Sequence, residues 1–485
     1  MECHICGSSL DLKACAACQC IWYCSRKCQK NDWKRHKQEC CLKQQNDTVS
    51  ISQPVSHSTA SPPVNVANHN KLDGQKALYA VRDFELGEEI FCELPLLTIP
   101  DAMQSNDPFF CQYVRAFLSL PKPQKELLLQ LQEADIFFGA SNVANPQFVD
   151  PQSPVQKLQK ETFLAGIAKS GISLPSQEEK DEAWKFLRIW NSNCFAFGDA
   201  EQAVFQILSR ANHSCSPNVL RREHEDGSRM RCVAACPIKA GEELTVSYVM
   251  DAKLMKLKSL RKKKLSDWGF NCKCLRCNEE KDDMRSFKCS ITSCNGFGYA
   301  SDEQDKILPC ECCGTSFSTK VRTKLFQQEH RLEAEYLDME RNTTNINSIE
   351  PLLDLFQRVK TSGVGDFHWL VAAIADLAAD FAVQGACRGQ IPWSLPCEFY
   401  ETILAFWNKA CPRLSLRKSF IQEKFADILT CENNFDRAGA LYEEALVQQR
   451  FICGSSSTEV DCIRKKMGRA MKRLPNTPDT GCCIQ

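Results

Sequence analysis

The sequence predicts an α+β multidomain protein: a small zinc-rich module, a β-rich core with a helical insert, a cysteine-rich stretch and an all-α, tetratricopeptide-like end. Three observations predict it. Many of the 31 cysteines fall in closely spaced pairs within 1–41 and 272–313. Short β-like runs bounded by turn residues occupy 76–99 and 193–248, on either side of a helical stretch. Beyond Lys320 apolar residues recur at helical spacing, as in 368–383 (HWLVAAIADLAADFAV) and 435–449 (FDRAGALYEEALVQQ). At 485 residues the chain exceeds one ordinary core. Lys+Arg and Asp+Glu both total 60, so net charge gives no support to a nucleic-acid binder and charge arguments are local.

The chain opens Met1-Glu2-Cys3-His4, a cysteine cluster rather than an apolar leader. No stretch approaches the ~18–20 uninterrupted apolar residues of a membrane span. In a reducing compartment, cysteine pairs beside a histidine read as zinc ligation and not as disulfides. Cytoplasm and nucleus are therefore the expected locations.

Residues 1–41 hold nine cysteines and little apolar mass, so metal must supply what a core cannot. The pairs are Cys3/Cys6, Cys15/Cys18, Cys24/Cys28 and His36/Cys40. Tetrahedral zinc takes four ligands, so eight ligands in four pairs hold two ions and leave no open coordination position. This spacing, with Tyr23-Cys24-Ser25 and Trp33, resembles the MYND finger. The resemblance implies interleaving: Cys3, Cys6, Cys24 and Cys28 on one ion, Cys15, Cys18, His36 and Cys40 on the other. It also implies that Gln29 and Trp33 line a groove for proline-containing peptides, which is compatible with Trp33 being a core aromatic. Residues 42–70 turn to Gln, Asn, Ser, Thr and Pro and read as a linker.

Residues 71–250 are expected to form the β-rich core, with 101–190 as its helical insert. Three segments carry a second resemblance. The first is Gly74-Gln75-Lys76-Ala77-Leu78-Tyr79-Ala80, read as the start of a hairpin turning at Leu86-Gly87-Glu88. The second is Asn212-His213-Ser214-Cys215-Ser216-Pro217-Asn218. The third is Gly241-Glu242-Glu243-Leu244-Thr245-Val246-Ser247-Tyr248. In that order they resemble a SET domain, although Gln75 and Ala77 stand where glycines are usual. Together with the MYND-like finger they make the chain similar to the SMYD family, in an arrangement with the finger ahead of the SET hairpin.

That resemblance implies transfer of a methyl group from S-adenosylmethionine to lysine side chains of histone or non-histone proteins. Tyr248 would be the active-site tyrosine. Lys76, Ala77, Leu78, Asn193, Asn212, His213, Tyr248 and Phe270 would contact the cofactor. Cys272, Cys274 and Cys277 (251–280) look like a post-SET motif, for which the family supplies the fourth zinc ligand from the Asn-His-Ser-Cys loop, here Cys215. A catalytically silent adaptor, recruiting proline-containing partners in transcriptional regulation, is the alternative reading.

In 281–320, Cys289/Cys294 and Cys310/Cys313 read as a further zinc ribbon, two turns giving four ligands, with Cys312 able to replace a neighbour. The expected zinc complement is two ions in the finger, one at the post-SET motif and one in the ribbon. Residues 253–264 carry seven basic residues with Leu254, Leu257 and Leu260 at helical spacing, read as a solvated helix with its leucines packed inward; weak nucleic-acid binding is the sharper reading. Residues 321–475 are expected to be helical, and the chain to be monomeric. The tail 476–485 ends Cys482-Cys483-Ile484-Gln485, which fits a prenylation box at Cys482 and membrane attachment through a lipid.

Overall fold

The computed structural model describes residues 13–14, 22–28, 30, 62–69, 76–100, 111–133, 154–198, 201–266, 270–302, 305–342 and 348–474. The chain divides into two compact units, 1–61 and 62–485. In the first, β1 (Lys13–Ala14) pairs antiparallel with β2 (Trp22–Tyr23). Tyr23 is buried, and the sulfurs of Cys24 and Cys28 lie 3.7 Å apart.

The second unit opens with β3 (Val64–Asn68) antiparallel to β4 (Lys76–Ala80). This corrects two expectations. Residues 64–68 belong to a sheet rather than to the linker, because Val64-Asn65-Val66 alternates with the strand period and meets a ready edge. And the hairpin partner of β4 lies upstream of it. The turn at Gly87, where φ is +76°, leads into β5 (Glu89–Glu93), which pairs with a different strand. β6 (Leu97–Pro100) follows.

The helical insert is α1 (Cys111–Ser119), α2 (Lys122–Leu128), α3 (Pro154–Lys169) and α4 (Gln177–Asn193). Helix α4 starts where Ser176 and Glu179 cap one another's backbone reciprocally. Phe117 stacks on Phe186 at 4.6 Å to join α1 to α4. β7 (Phe195–Phe197) and β8 (Glu201–Val204) then complete a three-stranded sheet in the order β6-β8-β7. Beyond β9 (Asn212–His213), β10 (Val219–Glu223) and β11 (Met230–Ala234) form the sheet β10-β11-β5, and β12 (Thr245–Val246) returns parallel to β9.

The basic segment is broken into α5 (Asp251–Leu254) and α6 (Lys258–Ser266). Leu254 and Leu257 are buried, but Leu260 is 43% exposed while Lys258 and Arg261 are inside. The inward leucine stripe is therefore corrected at its third member. Polar partners decide it: the Lys258 ammonium meets Asp302 at 2.7 Å and Arg261 donates to the Lys256 carbonyl. α7 (Leu275–Asn278) precedes the hairpin β13 (Lys281–Lys288)/β14 (Phe297–Ser301).

Among the described residues, seven helices follow: α8 (Thr319–Arg341), α9 (Glu350–Thr361), α10 (Trp369–Cys387), α11 (Ser394–Ala410), α12 (Leu416–Cys431), α13 (Phe435–Cys453) and α14 (Thr458–Met471). By length and composition α10 could cross a membrane, although Asp376 and Asp380 interrupt its apolar residues. Its alanine-rich face is instead the centre of the helical core, with Ile374, Ala375, Ala378 and Ala382 fully buried. The α13–α14 connection grips the core sheet. Phe451 packs over Gly87, the Arg231 guanidinium donates to the Phe451 and Ile452 carbonyls, and Arg222 pairs with Glu459.

Candidate active site and cysteine centres

The site is built where β9 and β12 lie parallel, Asn212 opposite Thr245 and His213 opposite Val246. Asn218 ties the two segments together. Its side-chain oxygen accepts from the Thr245 backbone at 2.8 Å, and its amide donates to the Glu243 carbonyl at 2.9 Å. The Glu243 carboxylate in turn accepts from the Asn212 amide at 2.9 Å and lies 3.2 Å from His69. The Asn212 amide also donates to the Lys76 carbonyl on β4. Both amide hydrogens of Asn212 are thus used within the chain, leaving its side-chain oxygen as an acceptor.

His213 is buried, and Nδ1 accepts the Tyr248 backbone N–H at 3.0 Å. The ring proton therefore sits on Nε2, which faces the Cys215 sulfur at 3.3 Å. Burial pushes the imidazole down to about 4, so it is neutral at ordinary pH. The Tyr248 hydroxyl donates to the Ala211 carbonyl at 3.0 Å. Burial, with Glu243 nearby, raises this phenol well above its ordinary value, so it stays protonated. Phe270 stands edge-on to Tyr248 at 6.0 Å and tilted to His213 at 6.1 Å. Three rings from separate segments therefore pack against one another.

The sulfurs of Cys215, Cys272, Cys274 and Cys277 all lie within 4.8 Å of one another. Cys215 is 4.0 Å from Cys272 and 3.5 Å from Cys277, and its backbone N–H points at the Cys274 sulfur. Tetrahedral zinc with Zn–S near 2.3 Å separates its sulfurs by about 3.8 Å. Four thiols at such spacing, with no carboxylate among them, suit that ion. Hydrogen bonds among them, that from Cys215 first, already press Cys274 far below an ordinary thiol. The Arg276 guanidinium locks the motif from behind, donating to the Cys215 and Leu254 carbonyls at 3.1 and 2.8 Å and to Asp283 at 2.6 Å.

Lys76, Ala77 and Leu78 lie on β4, and Leu78 accepts from the Leu244 backbone at 2.7 Å. Ala77 is fully buried, so its methyl takes up core space and not the strand's open edge. Asn193 ends α4 with its amide donating to the Gln132 and Ile189 carbonyls, and its own carbonyl meets Ser209. Its amide hydrogens are thus spent within the insert, and its carbonyl is what meets the core at Ser209. In the ribbon, Cys289, Cys294, Cys310 and Cys313 form a second four-sulfur group. Gln29, Trp33, Cys3, Cys6, Cys15, Cys18, His36, Cys40, Gln75 and Cys482 lie outside the described residues. Sequence reasoning did not single out Glu243 or Arg276 as site residues. A lone carboxylate in a Gly-Glu-Glu-Leu strand and an arginine between two thiols carry no spacing signal of their own.

A SET domain model matches residues 109–249 and a MYND finger model matches 3–40. The chain is similar to the histone-lysine N-methyltransferase ASHR1 of Arabidopsis thaliana, 25% identical over 329 residues, 64% of this chain and 55% of that protein. A SET and MYND domain-containing protein of Dictyostelium discoideum is 34% identical over 120 residues, 23% of this chain and 29% of that one. The histone-lysine N-methyltransferase SET5 of Saccharomyces cerevisiae is 31% identical over 108 residues, 22% and 20% of the two chains. The chain thus spans about half the length of the first of these and less of the others. Among solved structures, the SET domain of LSMT bound to lysine and AdoHcy matches at 16% identity and a TM-score of 0.24, covering 40% of this chain and 51% of that one. The SET and MYND finger models thus match two separate segments of the chain, and a relative from Dictyostelium discoideum is named for the same pair of domains.

Proposed function

We propose that this protein methylates lysine side chains of other proteins, histone or non-histone, using S-adenosylmethionine. The observation that carries the reading is the convergence of His213, Tyr248 and Phe270, from separate segments, into one aromatic cluster beside the Cys215–Cys277 sulfur group. When bound, the cofactor supplies an electrophilic methyl on a sulfonium. Asn212, through its side-chain oxygen and backbone, and His213, through its backbone, would hold it beside β4. Phe270 would cover its adenine. The protein's own work is alignment, which contributes at most roughly 7–11 kcal/mol. A lysine brought beside this aromatic cluster would lose water, which disfavours its ammonium and frees the amine lone pair. Tyr248, kept protonated by burial, would orient that amine through its hydroxyl oxygen.

The zinc complement we assign to the finger and post-SET motif is two ions and one, all structural. The MYND finger would recruit proline-containing partners through Gln29 and Trp33, with the protein acting as a monomer in cytoplasm and nucleus. Calorimetric titration with S-adenosylmethionine tests the catalytic reading. Binding is expected, and Tyr248→Phe should bind the cofactor comparably while methyl transfer to a lysine peptide falls by about a hundredfold or more. Absence of cofactor binding would overturn the enzyme reading and leave the adaptor one; equal transfer by Tyr248→Phe would remove that residue's role.

A further inference from the structure

The turn of the β13/β14 hairpin carries Cys289 and Cys294, and the turn at 309–315 carries Cys310 and Cys313. All four sulfurs lie within 4.8 Å of one another. The contacts cross between the turns, Cys289 to Cys313 at 3.6 Å and Cys294 to Cys310 at 3.7 Å, close to the ~3.8 Å edge of a tetrahedral zinc–thiolate site. The backbone is shaped to sulfur that carries charge. Ile291 N–H points at Cys289 at 3.4 Å and Gly296 N–H at Cys294 at 3.3 Å, each donor two residues beyond the thiol it serves. Gly296 also leaves the space the group needs, since a Cβ there would stand 2.6 Å from the Cys310 sulfur. No carboxylate or imidazole belongs to the group, so its chemistry suits zinc and not a hard cation.

What stands on this group is the start of the helical region. Phe287 of β13 packs edge-on against Phe326 of α8 at 5.3 Å and against His368 at 5.7 Å. Lys288 N–H donates to the Gly363 carbonyl, and Gly365 N–H to that of Ser286. Arg285 of β13 grips the Glu329 carboxylate of α8 with two hydrogen bonds, 2.8 and 2.6 Å. Glu329 meets His368 Nε2 at 3.0 Å, and His368 Nδ1 caps α10 by accepting the Leu370 N–H. One strand thus holds α8, the 363–365 loop and the N-terminus of α10.

We propose that Cys289, Cys294, Cys310 and Cys313 hold a structural zinc separate from that at Cys215, and that this ion is the splint that seats α8 and the start of α10 on the SET core. The inference is independent of whether the SET domain is active. A sharp test uses two neighbouring exposed thiols: Cys313 belongs to the sulfur group, whereas Cys312, also exposed, does not. In the full zinc-loaded chain, timed alkylation read by mass spectrometry should label Cys312 at least about tenfold faster than Cys313, because a metal-bound thiolate is a poor nucleophile. Equal rates would overturn the site. Elemental analysis of the Cys289→Ser/Cys313→Ser chain should find one zinc fewer per chain than wild type, with Cys312→Ser unchanged; an unchanged count in the double variant would also overturn it. Hydrogen exchange reads the splint. Peptides over 281–301 and 363–370 should exchange about tenfold faster in the double variant, with 435–453 unaffected. Loss of one zinc with no change at 363–370 would overturn the seating role.

Discussion

Replacing Arg276 by Met would test whether the post-SET motif is held as one piece. The methionine keeps the apolar stem and removes the guanidinium. Two buried carbonyls, those of Cys215 and Leu254, lose their donor, at about 1–3 kcal/mol each. The Asp283 pair, whose carboxylate side is 29% exposed, adds at most about 1 kcal/mol. Part of this is offset, because one terminal guanidinium nitrogen is buried without a hydrogen-bond partner and no longer has to be desolvated. The net cost is about 2–4 kcal/mol. It falls on the contact between 270–278 and the Cys215 loop, which the metal also requires. At 1.4 kcal/mol per tenfold, about 3 kcal/mol is roughly a hundredfold loss of zinc affinity. Competition against a calibrated zinc chelator measures it, with hydrogen exchange over 270–278 as the local readout. Affinity within twofold of wild type, with unchanged exchange there, would refute the reasoning.

Three further outcomes are expected. Glu329 is buried, which pushes its carboxyl up, but His368 and then Arg285 outweigh burial and hold it at about 2 against 4.5 for a free glutamate. A depressed carboxyl contributes stability that is complete above 4.5 and lost as pH falls toward 2, about 3 kcal/mol in all; acid unfolding of Glu329→Gln should be correspondingly flatter through that window. In Gly87→Ala the new methyl would stand 2.3 Å from the Phe451 ring at φ +76°. A cost of about 2–4 kcal/mol should appear as faster proteolysis near 451–456. Lys258→Ala, which leaves Asp302 and the Glu279 carbonyl without their buried donor, should cost about 2–4 kcal/mol in thermal unfolding, and Lys263→Ala, on the exposed side of the same helix, within about 0.5.

Cysteine spacing carried much of what was legible. Pairs two to four residues apart announce metal-binding turns whatever fold surrounds them, and the crossing of Cys289 to Cys313 needs only two such turns to meet. The position of Cys215 beside Cys272, Cys274 and Cys277 could not come from spacing, since the first of the trio lies 57 positions further on; it came from family likeness. Periodicity announced the C-terminal helices because each must bury one face. It misled at Leu260, where polar partners drew Lys258 and Arg261 inward. It also left β3 unread. Five residues next to a polar linker show little pattern until β4 offers an edge, and no local feature says that β5 pairs with β11, some 140 residues away.

The parallel meeting of β9 and β12 has a consequence for biosynthesis. Asn212 finds its acceptor on Lys76, made 136 residues earlier, and Cys215 waits for Cys277, made 62 residues later. Closing such distant segments is slow, so on the ribosome the candidate site is among the last features to mature. A nascent chain stalled between them exposes an unpaired β9 and a lone thiol to chaperones or to stray metal.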